Sequence, residues 1–427
     1  MGNQSTLPRF LLTEGPVHHN YQAFPFASQE CSPAAETALY YGFTPVNTLK
    51  PSDIDAPAAA VVRSIDDPFF AASTNDRKRF NPEEKATLVK LYKTGAFNNL
   101  PRPLMLFYEK TARVQGKQDT FRQHCSLDII GVPQSIAEAL IIQTSHAILE
   151  EEGFKDLEVE INSSGDRGSR EAFESDLIVY LRSVMNDLPP RTQEACKKNP
   201  YALFTSSDST TDEIVENAPH PLSYLSEESR KHLREVLEYM EALGISYSIN
   251  KRLIAHRSLQ NHTVFRITTS SEAENGDGEN EVVAAQGLRY NPLSRRLGYK
   301  KDVPAVGSYL VYKKKGGQPP SQANPSPQFC FLHLGFEAKL KSLQVINTLR
   351  RDRIPVCHCL TKDKLTGQMS TADKLKLPYL IIMGQKEALE NTVLVRDMES
   401  YSQETISLDH LPSYLKRIRR KTAGRTA

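Results

Sequence analysis

No stretch of this 427-residue chain approaches ~20 consecutive apolar residues, so no membrane-spanning helix is expected. A charge of one sign is also missing. Lys and Arg number 53 against 51 Asp and Glu, a formal net charge of +2. The molecule as a whole therefore does not draw nucleic acid electrostatically, and DNA is not an expected partner. Any RNA contact must come from a local patch. Cysteine is sparse, and the six present (Cys31, Cys125, Cys196, Cys330, Cys357, Cys359) lack metal-ligand spacing. In Cys357-His358-Cys359 a strand would turn the histidine away from both thiols, so no metal site is expected. The pattern fits reduced thiols in a cytoplasmic protein. The first residues, MGNQSTLPRF, lack the charged-then-apolar order of a secretory signal. Gly2 and Thr6 match an acylation pattern too short to carry a conclusion.

With 39% hydrophobic and 24% charged residues the composition is that of an ordinary globular protein, and the length calls for more than one core. Residues 1–35 are Pro-rich and aperiodic and read as an arm. Helical patterns run over Thr37–Tyr41, Glu83–Tyr92, Ile136–Gly153, Glu171–Met185 and Glu227–Leu243, the last opened by Ser226 and closed by Gly244. Leu104–Ala112, Cys125–Gly131 and Leu157–Ile161 read as strands, and Ser270–Asn280 as a polar hairpin tip. Residues 316–327, GGQPPSQANPSP, have the composition of a linker. Beyond it comes a βαβ rhythm: strands at Phe329–Leu334, Pro355–Leu360, Leu380–Met383 and Thr392–Arg396, a helix at Ala338–Arg350 and a terminal helix. The basic run Lys416–Arg425 reads either as a solvated tail or as a phosphate contact.

The segment Asn250–Ile267, NKRLIAHRSLQNHTVFRI, resembles the histidine signature of histidyl-tRNA synthetases, in which R-G-L-D-Y-Y lies between N-x-R-L and T-V-F-E. Asn250, Arg252 and Leu253 keep the lead-in, and Thr263, Val264 and Phe265 keep the exit. Other pieces follow in the family's order. Pro82-Glu83-Glu84 resembles R-P-E-G-T, and Gln123–Gly131 resembles the end of motif 2. Ala284–Gly298 resembles A-G-G-R-Y-D-x-L, Val303–Gly307 leads into motif 3, and Pro378–Met398 is similar to the family's anticodon-binding domain.

The resemblance implies an α+β class II catalytic domain, a mixed and mainly antiparallel sheet with flanking helices, followed by a small α/β anticodon-binding-like domain. The implied division is an arm over 1–35, a catalytic-type domain over 36–315, a linker over 316–327, an anticodon-binding-like domain over 328–417 and a basic tail over 418–427. Arg113 matches the motif-2 arginine that clamps the α-phosphate of ATP, or else is an exposed strand-end charge. Lys314 stands where motif 3 stacks an arginine on adenine, and it lacks the planar fork for that task. Glu83, His124, Asp128 and Tyr290 fall at histidine-binding positions. The alternative for Glu83 is a helix N-terminal charge, and His124 reads equally as a structural histidine. Implied partners are tRNA, histidine as a candidate ligand, and a second copy of the chain, although Leu49 replaces the dimer-forming proline.

Departures concentrate at ligand-facing positions. Ala255 replaces the signature arginine, Leu259 and Gln260 replace two tyrosines, and Lys85, Leu288 and Asn291 replace threonine, glycine and aspartate. The motif-2 loop Val114–Thr120 is short. Removing one charge-stabilising donor costs about 10²–10³ in rate. The sequence therefore points to a tRNA-binding relative with weak or no ligase activity. The alternative is a divergent but active histidine–tRNA ligase using ATP and Mg²⁺, with His256 or Arg257 supplying the missing charge.

Overall fold

The computed structural model describes residues 32–46, 56–63, 81–98, 100–113, 121–206, 208–255, 258–271, 280–313 and 327–423. Most of the N-terminal arm and of the linker lies outside these residues. So do Leu49, the loop Val114–Thr120, His256, Arg257 and Lys314. The chain forms two compact units. One comprises Val46–Leu237 and Ser246–Gly316, and the other comprises the described parts of Gly15–Pro45, Glu238–Ile245 and Gly317–Ala427.

A two-residue strand, β1 (Thr44–Pro45), precedes the strands of the first unit. These are β2 (Leu104–Arg113), β3 (Phe121–Ile130), β4 (Leu157–Ser163), β5 (Tyr247–Ile249), β6 (Thr263–Ser271), β7 (Asn280–Arg289) and β8 (Ala305–Lys313). They lie side by side in the order β2-β3-β8-β7-β6-β4-β5, antiparallel except for the parallel β4–β5 pair. The helix Ile136–Glu151 covers one face and is buried along nearly its whole length. Its Ser145 hydroxyl meets that of Ser308 on β8 at 2.8 Å.

Strand alternation sorts side chains between the two faces. The register pairs Tyr108 with Ser126, Ser126 with Tyr309, Leu106 with Asp128, and Asp128 with Gly307. Gly307 in turn pairs with Leu288, and Leu288 with Val264. One face of the sheet thus carries His124, Ser126, Asp128, Leu106, Tyr108, Tyr309, Leu288 and Val264. The helix Pro82–Lys93 packs over it. Asn81 opens that helix by accepting the Glu83 N–H at 3.0 Å, with Pro82 at the first helical position.

The second unit holds β9 (Phe329–His333), β10 (Val356–His358), β11 (Tyr379–Met383), β12 (Thr392–Asp397) and β13 (Gln403–Ser407) in the order β10-β9-β11-β12-β13. The first three are parallel and the last two antiparallel. The expected helix is present over Phe336–Arg351. A helix at Leu365–Leu375 and the strand β13 were not read from sequence, because their residues alternate weakly and expose much of their length. The basic run expected as a tail is helical as far as Ala423, within Leu411–Ala423. The whole is a mixed, mainly antiparallel sheet with flanking helices, accompanied by a separate five-stranded α/β unit.

Candidate functional site

At the centre of the first unit's sheet a lysine ammonium is fully enclosed. Lys85, in the opening turns of the helix Pro82–Lys93, places Nζ 2.6 Å from Asp128 Oδ2. It donates to Ser126 Oγ at 2.8 Å and to the Tyr108 hydroxyl at 3.3 Å. An ammonium has three N–H bonds, and here each has an acceptor. Asp128 uses its other oxygen, Oδ1, to accept from the Tyr290 hydroxyl at 2.7 Å. Burial holds the Asp128 carboxyl above its ordinary range, opposed by the pull of Lys85 and by the hydrogen bonds from Lys85 and Tyr290. Burial also raises the Tyr290 hydroxyl, so it stays protonated and donates. A Cβ at position 307 would collide with the Asp128 carboxylate, so glycine there lets β8 pass beside it.

Around this cluster the described residues are apolar and buried. Leu253, Ala255, Leu259, Val264, Leu288, Tyr290, Leu106, Tyr108 and Tyr309 belong to one apolar cluster and are buried. Ala255 is 2% exposed, and its N–H donates to Gln260 Oε1 at 2.6 Å. Gln260 thereby satisfies backbone from within its own segment. Its carbonyl accepts from Arg170 at 2.7 Å. The lead-in Asn250 donates to Glu160 Oε1 at 2.6 Å, and Arg252 pairs with Asp212 at 2.5 Å. Asn250 thus ties the segment to β4, and Arg252 ties it to the helix Asp212–Asn217.

Of the residues expected at a histidine site, the structure joins Asp128 and Tyr290. His124 lies on the same face of β3, its Nδ1 2.6 Å from the Tyr309 hydroxyl. Glu83 is half-buried in the first helical turn; the residue of that turn that reaches Asp128 is Lys85. Arg113 ends β2, its backbone paired with Phe121; its side chain and the whole of Lys314 lie outside the described residues. In sequence Lys85 is only a departure from the family pattern; its pairing with Asp128 and the parts played by Ser126, Tyr108 and Tyr309 emerge from the fold. The alternation of His124-Cys125-Ser126-Leu127-Asp128 was the available signal for Ser126.

Two further cations on this face have carboxylate partners, and Arg122 lies half-buried on the same face of β3. Lys110 lies 3.6 Å from Glu84, and Arg266 pairs with Glu160. Among the described residues no group of three or more His, Cys, Asp or Glu side chains is arranged to hold a metal ion. Behind the cluster Arg289 is fully buried and donates from Nε to Glu138 Oε1 at 2.6 Å, while His232 Nε2 lies 2.8 Å from the same oxygen. Against the cost of burial, Arg289 and His232 hold the Glu138 carboxyl below its usual range. This pair braces β7 against the helix Ile136–Glu151.

Residues 328–418 match the family model described as "Anticodon binding domain". A histidine–tRNA ligase of Thermosynechococcus vestitus is 30% identical over 316 residues, 72% of this chain and 71% of that protein. One of Ruthia magnifica is 27% identical over 350 residues, 79% and 80% of the two chains. The crystal structure of apo S. aureus histidyl-tRNA synthetase overlaps with a TM-score of 0.46 at 21% identity, covering 90% of this chain and 93% of that one.

Proposed function

The chain belongs to the histidyl-tRNA synthetase family, and we propose that within it this chain is a tRNA-binding protein with weak or no ligase activity, its amino-acid site closed by its own side chains. One observation carries this reading: both oxygens of Asp128 are already engaged, one by the Lys85 ammonium and the other by the Tyr290 hydroxyl. A histidine ligand brings an ammonium and an imidazole and needs polar groups that are unengaged when it arrives. At this site a chain-borne ammonium has three acceptors, and leucine, alanine and tyrosine side chains fill the space beside it.

The match of residues 328–418 to an anticodon-binding model supports tRNA as the partner. By the same family reading the protein is a cytoplasmic homodimer, with a class II catalytic-type domain over 36–315 joined through 316–327 to the domain over 328–417. A surviving ligase reaction would need Glu83, His124, Asp128 and Tyr290 for histidine, and Arg113 and Lys314 for ATP with Mg²⁺. Histidine-dependent ATP–pyrophosphate exchange separates the two outcomes. The expected result is exchange at least about 10²-fold below that of an intact synthetase, with salt-sensitive tRNA binding retained. Exchange at an ordinary synthetase rate would overturn the reading.

A further inference from the structure

Of the five cysteines among the described residues, three meet in the second unit. Cys330 on β9 and Cys357 on β10 are register partners on neighbouring parallel strands. Cys359 lies two residues beyond Cys357, just past the end of β10, while His358 between them turns to the opposite face. All three thiols belong to one apolar cluster with Ala372 of the helix Leu365–Leu375. They are 0%, 2% and 4% exposed, Cys359 the most, and none forms a disulfide.

The three sulfurs are not equivalent. Cys330 and Cys357 both donate S–H hydrogen bonds to Cys359. These donors, Cys330 first, hold the Cys359 thiol down to about 3 against the cost of burial, helped by the Thr371 hydroxyl and the Lys362 ammonium. Cys330, although it accepts from Cys357, is pushed up by donating to Cys359 and by burial. Cys357 is pushed up by donating to both of the others. A turn sets Lys362 beside the trio: its N–H donates to the Cys359 carbonyl at 2.8 Å, and its Nζ donates to Thr371 Oγ1 at 2.6 Å. One sulfur with two thiol donors and an ammonium nearby is a nucleophile with its own resolving groups. A metal-binding trio would instead present three thiolates.

We propose that Cys359 is a hydroperoxide-reactive sulfur and that Cys330 resolves it as a disulfide, clipping the end of β10 to β9. The Cys359 sulfur attacks the outer peroxide oxygen; an S–O bond forms, the O–O bond breaks, and the other oxygen takes a proton from solvent and leaves as water or alcohol. Cys330 then attacks the oxidised sulfur; the S–S bond forms, the S–O bond breaks, and the hydroxyl leaves as water with the Cys330 proton. Two thiols lose two electrons and one peroxide gains them. Cys330 is the resolving thiol because it gives the stronger hydrogen bond to Cys359, and because a bridge between residues two apart on one strand is strained. None of this depends on whether the chain binds tRNA.

The test treats the reduced full chain with stoichiometric hydrogen peroxide at about pH 5.5 and about pH 7.5, on either side of neutrality and below the ordinary thiol range. Free thiols are then alkylated under denaturing conditions, and each cysteine is read separately by peptide mass mapping. The expected product is a Cys359–Cys330 disulfide, reversed by dithiothreitol and formed at the two pH values with rates within about threefold. Cys196 is the internal reference; burial pushes it up to about 11, and it should react about 10²-fold more slowly or less. In Cys330→Ser, shown to fold by circular dichroism, dimedone should capture a sulfenic acid at Cys359. Lys362→Met should slow the reaction by about threefold or more. Cys359 reacting no faster than Cys196, or only at the higher pH, overturns the proposal. A disulfide joining Cys359 to Cys357 overturns the assignment of Cys330. The unaltered chain gives these outcomes by itself, so a variant that fails to fold leaves the question decided.

Discussion

Lys85 and Asp128, 43 residues apart in sequence, form an ion pair of 2.6 Å with both side chains essentially removed from solvent. The lysine stands in the first turns of a helix, where the macrodipole disfavours a cation. The pair therefore persists through the carboxylate, the two hydroxyl acceptors and the packing around them. Such a pair adds little net stability when intact, but losing one member leaves a buried charge uncompensated.

Lys85→Met is accordingly expected to destabilise the first unit by about 3–5 kcal/mol, seen as a lower urea midpoint. Lys85→Met/Asp128→Leu should recover most of that loss, because no charge is left behind. Equal stability of the single variant and the parent chain would show that the pair does not hold the site closed.

Trimming the lysine to its Cβ tests whether the enclosure is built around an ammonium. Lys85→Ala removes a fragment equivalent to propylammonium. Added propylammonium should then raise the melting temperature of Lys85→Ala in a saturable way, by mass action on the folded state. Tetramethylammonium, which cannot donate to Asp128, Ser126 or Tyr108, should have no such effect, and identical responses to both ions would count against the cradle.

Restoring the signature arginine should not restore chemistry. Ala255 is buried among Leu253, Leu259, Leu288 and Tyr290, so a guanidinium there meets no acceptor set and displaces packed apolar atoms. Ala255→Arg is expected to cost about 3 kcal/mol or more and to leave pyrophosphate exchange unchanged. A stable Ala255→Arg protein with new exchange activity would mean that the pocket opens.

Acid should loosen the first unit through His262. Burial first, then the nearby His232 and Arg289, hold its imidazole down to about 3. It stacks on His232 with ring centroids 4.6 Å apart. A histidine whose pKa is depressed on folding takes up protons more readily when unfolded. Its contribution is fully present above the ordinary histidine range near pH 6.5 and is lost as pH falls toward 3. Melting temperature should therefore decline below about pH 6, and His262→Gln should flatten that decline.

Part of this architecture is legible one segment at a time. The helix Glu227–Leu243 is found where its 3.6-residue pattern and its terminal Ser226 and Gly244 place it, and Ser226 Oγ accepts the Ser229 N–H at 3.2 Å. The strands at 104–113 and 157–163 lie where the sequence places them, with short extensions. The short helical turns between Pro190 and Tyr224 were not read, because their apolar residues pack on Phe173 and Leu177 without a sustained period of their own. At the site, Asp128 and Tyr290 stand out by motif, whereas their contact depends on two antiparallel registers that sequence does not print.

The sequence by itself determined the family, through the ordered fragments that flank the altered residues, and it showed that the changes cluster within the family's motifs. What those changes do to one another was decided only by the tertiary structure. Ala255 and Leu259 from the signature segment and Leu288 from β7 become parts of one apolar cluster because the fold lays that segment over the Leu288 face of the sheet. Lys85 becomes an occupant of that face because its helix crosses above Asp128, where the low-dielectric interior makes an enclosed ammonium demand every acceptor it has.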